Sequence, residues 1–358
     1  MTTTVDAHTA AEFRAATERA AVYPDDSGIL LLTGEDARDL LNRLSTNLID
    51  PDAPAGEVAV TVLTSDRGRI VDLVYVIHCG DQQVMLTSPG QQQNVMEFLD
   101  KYTIMEDLEV EDITEKTSLL RLTGPDAAGI LGRVSDDGVL VVEPPADPDG
   151  TEYAPTRYLL ADDPEDAARI AADLEAAGAA RISGETAEAL RIAQARPAHG
   201  SEMSDTYNPL EAGLIGAIDF HKGCYIGQEV IARLDTYHKV QKYLVSLSFD
   251  ADPAQAGALP GFRLLNDEGA AMGLVTSATV VPSPDGARII GLGYVRTAAV
   301  QVGGALRAVT EDGDGAGETG ITARITAQPL LFGGEKPGPA GRGNVGGRLQ
   351  IQRGVNDD

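Results

Sequence analysis

Apolar and polar positions recur with two different periods along this chain, and the changes of period mark its parts. Asp36 to Leu44 sets Ala37, Leu40, Leu41 and Leu44 at helical spacing, which predicts a short amphipathic helix. Val58, Val60 and Val62 fall on every second residue, as in a half-buried strand. Residues 71–77 and 84–87 read as two further strands, followed by a helix over 91–101. Residues 108–113 mix apolar side chains with Glu109, Glu111 and Asp112, as a half-exposed strand would. Helices are expected again over 164–177 and 185–195.

A weak internal repeat links the first two parts. LLTGEDARDLL, from Leu31 to Leu41, is similar to RLTGPDAAGIL, from Arg121 to Leu131. Each runs from a strand through T-G-x-D-A into a helix, and the spacing is the same in both. Asp36 and Asp126 stand where a carboxylate can meet the free N–H groups of a first helical turn. The pattern predicts two related α+β lobes. From Lys242 the character changes. Short apolar runs at 243–249, 262–265, 272–279, 288–295, 298–302, 306–309 and 321–325 are broken by Gly and Pro, as in a small antiparallel barrel. The expected fold class is therefore α+β: a first lobe over 1–115, a second over 116–240, a C-terminal antiparallel β-barrel over 241–332, and a disordered tail over 333–358.

Composition narrows the function classes. The chain has 358 residues, with 55 acidic against 28 basic side chains and a net charge of −27. Such a surface repels nucleic-acid phosphate and suits a protein kept soluble in high salt, where its self-repulsion is screened. No run approaches a membrane span, and no secretory leader is expected. Cys79 and Cys224 are the only cysteines, so a disulfide framework or a Cys-rich metal site is excluded and a reducing cytoplasm is expected. The five histidines are too scattered to predict a metal set. Gly341 to Gly346 matches G-x-G-x-x-G but follows a Pro/Gly tract, so it lacks the strand and helix that a phosphate loop needs.

One stretch departs from the acidic background. His221 to Lys242 holds three of the six lysines, Lys222, Lys239 and Lys242, together with Arg233. A local positive excess suits an anion such as a carboxylate or phosphate, though simple pairing with neighbouring acids is the plainer reading. Gly223 and Gly227 bracket Cys224, Tyr225 and Ile226, which predicts a tight loop with an accessible thiol.

Within that stretch Lys222-Gly223-Cys224-Tyr225-Ile226-Gly227-Gln228-Glu229 resembles the K-G-C-Y-x-G-Q-E signature of YgfZ-type tetrahydrofolate-binding proteins, relatives of the glycine-cleavage T-protein (aminomethyltransferase). The resemblance extends to Leu41–Asp50, to Gly68-Arg69-Ile70-Val71-Asp72 against a G-x-I-x-D segment, to Leu190–Gly213, and to two barrel segments, covering about residues 28–331. It implies two α+β lobes and a barrel around a central folate pocket, with Asp72 beside the reactive folate nitrogens. It further implies tetrahydrofolate as cofactor, held by Asp72, Asn47, Lys222, Tyr225, Gln228, Arg233 and Lys239, with Asp72 and Cys224 as the chemical groups and no metal. Lys222, Arg233 and Lys239 would meet the folate carboxylates.

The implied role is support of iron–sulfur cluster assembly or repair, with iron–sulfur proteins as partners. Aminomethyl transfer is the alternative, and a protein-docking module that keeps only the fold is a third reading. Three departures from the T-protein pattern weigh against transfer. The pterin-gripping Glu segment has no counterpart in Tyr153–Asp163, Ala187 stands for an Arg that pairs with the folate glutamate, and Ser88 stands for an Asn near the pterin.

Overall fold

Two glycines in equivalent backbone states organise the repeat. Strand Ser27–Thr33 runs into Gly34 (φ +114°) and helix Ala37–Leu44, and strand Ser118–Thr123 runs into Gly124 (φ +113°) and helix Ala127–Leu131. A Cβ on Gly34 would lie 2.1 Å from the Asp107 carbonyl oxygen, and one on Gly124 would lie 2.4 Å from that of Arg19. Only glycine tolerates both the torsion and the approach. Asp36 and Asp126 do not cap their helices with their side chains. Asp36 instead accepts from the Asp107 amide at 2.8 Å, and its own amide donates to the Asp107 carbonyl. The Asp126 amide donates to Arg19 O at 2.8 Å. Each repeat is thus pinned to the segment that enters the strand beside its own.

This computed structural model describes residues 7–134, 139–143, 156–310 and 320–331, and the backbone of 347–351. In one half of the large sheet, Glu57–Thr64, Ile70–Cys79, Gln82–Pro89, Ser27–Thr33 and Glu109–Asp112 follow one another across the sheet. In the other half the order is Leu140–Glu143, Arg157–Ala161, Ser118–Thr123, Ala21–Asp25 and Ala180–Arg181. The N-terminal strand Ala21–Asp25 therefore pairs with the second repeat, in register Ala21 to Thr123. Helix Ala7–Glu18 also packs on the second lobe's helix Gly184–Ala193. A lobe boundary at 115 does not capture this exchange, because helix Ala7–Glu18 and strand Ala21–Asp25 pack with the second half.

Strand Gly347–Ile351 pairs with Leu140–Glu143 on one side and with Glu57–Thr64 on the other, joining the halves. It falls inside the stretch expected to be a disordered tail. The rest of 333–358, including the G-x-G-x-x-G segment, lies outside the described residues.

The C-terminal part is a closed antiparallel barrel of six strands, as its punctuated apolar runs suggest. The run at 298–302 is the exception. Thr297–Ala299 is one 3-10 turn, and the chain reverses at Gly303 (φ +87°) and Gly304 before the next strand. Half-buried Arg191 and buried Glu202 couple the second lobe to the barrel, with Arg191 donating to Glu202 and to Ser277 and the Tyr294 hydroxyl donating to Glu202 O.

Helix Ala7–Glu18 is held by Glu12, which is buried. Its carboxylate accepts from the Ser183 amide (3.0 Å), the Ser183 hydroxyl (2.7 Å) and the Thr186 hydroxyl (2.5 Å). Burial pushes this carboxyl up, and the hydrogen bonds from Thr186 and Ser183 outweigh that and hold it below the usual range. Glu12→Ala strands two hydroxyls and an amide at a helix N-terminus. A loss of about 3 kcal/mol is expected in denaturant unfolding.

Candidate functional site

Asp72 lies on strand Ile70–Cys79 and is wholly buried. Its Oδ2 accepts from the Ser88 amide at 2.8 Å, while Oδ1 makes no hydrogen bond among the described residues. Burial raises its carboxyl, opposed by the Ser88 hydroxyl and amide and by the nearby His199 ring. A carboxylate oxygen held dry without a donor is costly unless another molecule supplies one. Oδ1 thus has the capacity to accept a hydrogen bond from an N–H or O–H group. Ser88 orients Asp72 through its backbone amide, and its hydroxyl also favours the carboxylate.

The signature packs against the turn that feeds this strand. Leu63 pairs with Asp72, and the next residue, Thr64, donates its hydroxyl to Ile226 O at 2.7 Å. Gly227 adopts φ +81°, and a Cβ there would lie 2.5 Å from Ser65 O and 2.9 Å from Gly68 Cα. The Ile226 amide donates to Arg43 O. The G-x-I-x-D segment and the signature are thus one packed unit, although they stand more than 150 residues apart in the chain. Gly227→Ala is expected to cost about 2–4 kcal/mol in thermal or denaturant unfolding, from torsional strain and the close backbone approach.

Two residues expected to touch ligand are committed to the fold instead. The Lys222 ammonium donates to Asn42 O (2.6 Å), Ser45 O (2.9 Å) and Asn47 O (2.7 Å). Its three protons cap the end of helix Ala37–Leu44 and the turn beyond it, and none remains for a folate carboxylate. Burial pulls this ammonium down to about 7, with Asp219 opposing. Asn47 is also consumed. Its amide donates to Val60 O at 2.8 Å, and its Oδ1 accepts from the Leu48 amide at 2.9 Å. Asn47 therefore meets Lys222 through its backbone carbonyl, and both ends of its side-chain amide are engaged with the fold.

The remaining candidates spread outward from this unit. Tyr225 is buried under the Lys222 ammonium, which lies 5.4 Å from its ring centroid. Burial raises the Tyr225 phenol. Gln228 is half-buried at the start of helix Gln228–Thr236. Cys224 is a free, exposed thiol at the tip of the loop. Arg233 and Lys239 are exposed on and beyond the helix, and the Lys239 ammonium lies over the exposed Tyr237 ring. Lys242 stacks over Tyr207, 4.2 Å from its centroid. The positive stretch is thus not one anion cradle, since Lys222 and Lys242 are engaged inward.

No pattern along the chain pointed to His199 near Asp72, or to the array between the sheet halves. There Tyr75 meets Tyr158 at 5.2 Å between ring centroids, and Arg121 lies 5.0 Å from the Tyr158 centroid while pairing with Asp25. The repeat held one available signal: Arg121 occupies the position of the apolar Leu31 in the first copy. Among the described residues no group of three or more His, Cys, Asp or Glu side chains could hold a metal ion, and no helix is long and apolar enough to cross a membrane.

Residues 2–141 match the family model described as the GCVT N-terminal domain. A chloroplastic protein of Arabidopsis thaliana that bears a transferase name is 30% identical over 290 residues, which cover 77% of this chain. The match spans 65% of that relative's length. An aminomethyltransferase of Rubrobacter xylanophilus is 28% identical over 301 residues, covering 80% of this chain and 78% of the relative. The solved structure of a glycine cleavage system aminomethyltransferase T from Bartonella henselae superposes with a TM-score of 0.74 at 17% identity, covering 92% of this chain and 91% of that one. At that identity the likeness concerns the fold, two lobes and a barrel.

Proposed function

We propose that this chain, whose fold and relatives support the glycine-cleavage T-protein superfamily, is a tetrahydrofolate-binding protein of the YgfZ type that serves the assembly or repair of iron–sulfur proteins in the cytoplasm. The observation that carries the folate reading is Asp72: a wholly buried carboxylate at the end of the G-x-I-x-D segment, with Oδ1 lacking a donor. A reduced pterin presents N–H groups, so it brings the missing donor with it, and the residues present fit the group. When bound, tetrahydrofolate supplies nitrogen atoms that carry a one-carbon unit. Asp72 would orient those nitrogens from Oδ1, and the Ser88 amide holds the carboxylate in place for this. Because burial raises its carboxyl, Asp72 is also suited to hold or release a proton at Oδ1.

The iron–sulfur role rests on the signature around the exposed Cys224 thiol, which resembles the YgfZ type. The relatives named as aminomethyltransferases favour a second reading, folate-dependent aminomethyl transfer. Ala187, in place of the Arg that would pair with a folate glutamate, weighs against it. Calorimetry with tetrahydrofolate and an assay with an aminomethyl donor separate the readings. Binding without turnover is expected. Turnover to methylene-tetrahydrofolate would favour transfer, and absence of binding would overturn both. Removing the protein from its cell is further expected to lower the activity of iron–sulfur enzymes, with partial rescue by the intact chain.

A further inference from the structure

Behind the signature helix lies a cavity of about 300 Å³ that the folate reading does not use. Its wall is aliphatic: Leu210, Ile215, Leu234, Val240 and Leu330. These residues belong to the cluster that buries Tyr225 and Ile231, so the wall is a packed surface. Four polar side chains face the same space: Asp235 in the last turn of helix Gln228–Thr236, His238, Tyr243 on strand Lys242–Asp250, and Gln328 after the last barrel strand. Asp72 does not line it. The size and the mixture of an aliphatic wall with a few polar groups are those of a small-molecule site.

The electrostatics select the ligand's charge. Among the described residues, Asp235 is the one lining residue with a fixed charge. It stands at a helix C-terminus, where the dipole adds negative potential. The Tyr243 phenol is pushed up by burial and then by the Asp235 charge, which places that carboxylate within reach of the cavity. The chain's charge of −27 raises the local concentration of cations. The nearby cations Arg233 and Lys239 are exposed and do not line the cavity. His238 is exposed and stands at the rim. A carboxylate has about four lone-pair sites, so it can accept a ligand donor alongside any partner within the protein.

We propose that this cavity is a binding site for a small molecule with an apolar body and a protonated amine, the body lying on the Leu210–Leu330 wall and the amine on Asp235. The probe is 2-phenylethylamine, titrated into the intact protein by calorimetry and by NMR shift mapping, with 3-phenylpropionate as its charge-reversed counterpart. Saturable binding of the amine is expected, at least tenfold tighter than the carboxylate, with shifts at Leu234, Val240 and Tyr243. Asp235→Asn is expected to weaken amine binding at least tenfold, and Asp72→Ala to leave it unchanged. Absence of amine binding, equal binding of the two probes, or full retention in Asp235→Asn would overturn the proposal. Loss in Asp72→Ala would place the amine at the folate site and overturn it equally.

Discussion

Lys222→Met is expected to lower the unfolding free energy by about 3 kcal/mol at neutral pH, although Lys222 meets no ligand in this account. Methionine keeps an apolar stem of similar length and removes only the ammonium. Three carbonyls, from Asn42, Ser45 and Asn47, then lose their donor. A hydrogen bond to a charged group contributes about 1.5–3 kcal/mol, and water reaching a half-buried site offsets part of the loss of three. The sign of the pH dependence follows from burial. The folded-state value, about 7, lies below the ordinary lysine value of 10.5. Between those two values burial makes the unfolded chain bind more protons than the folded one, which raises wild-type stability with pH. The three carbonyls favour the ammonium and oppose this, so the gap to Lys222→Met is expected to change by well under about 1.4 kcal/mol per pH unit. Denaturant unfolding of both proteins at pH 7 and pH 9 checks this. A variant as stable as wild type at pH 7 would show that the three-carbonyl lock is not structural.

Asp72→Asn is expected to weaken tetrahydrofolate binding ten- to a hundredfold, the range that follows from removing one charge-assisted hydrogen bond of about 1.5–3 kcal/mol. The same change is expected to leave the ligand-free protein at least as stable as wild type at neutral pH. Burial raises the Asp72 carboxyl in the folded state, so above that raised value the folded protein carries a buried charge that the unfolded chain keeps in water. In the window between the ordinary carboxyl value and the raised one, the folded state binds more protons and stability falls as pH rises. Asparagine removes that dependence. The stability difference between variant and wild type should therefore shrink as pH falls through the window. A stabilised variant that has lost ligand is the mark of a functional group, whereas a purely structural Asp72 would lose stability with no such pH trend.

How much was readable beforehand depends on whether a feature is local. The repeat, the strands around Asp72 and the barrel are written in short-range periodicity and glycine placement, and Gly34 and Gly124 take nearly the same torsion. Features set by distant partners were not readable. The Lys222 neighbourhood showed a positive charge among glycines, and nothing in it pointed to carbonyls up to 180 residues away. The pairing of Ala21–Asp25 with the second repeat, and of Gly347–Ile351 between the halves, depends on edges that other segments create. Asp72 was legible because a carboxylate stood out on an apolar strand. Its partners, the Ser88 amide and the His199 ring, were hidden, since a backbone donor leaves no trace in composition.

The acidic surface and the positive stretch also read differently once folded. Two of the three lysines in that stretch turn inward, Lys222 to carbonyls and Lys242 to Tyr207. The excess charge there serves the packing of the signature more than the capture of an anion. What the signature presents outward is Cys224, on a loop fixed at Lys222 and at Ile226.

In the folate reading, Asp72 Oδ1 takes its hydrogen bond from the bound pterin. Calorimetric titration of tetrahydrofolate into wild type and Asp72→Asn, in the same buffer at neutral pH and molar salt, tests it most directly. Saturable one-site binding to wild type and affinity at least tenfold lower in the variant are expected, with both proteins folded by their unfolding curves. Equal affinity in the two proteins, or no binding to wild type, would contradict it.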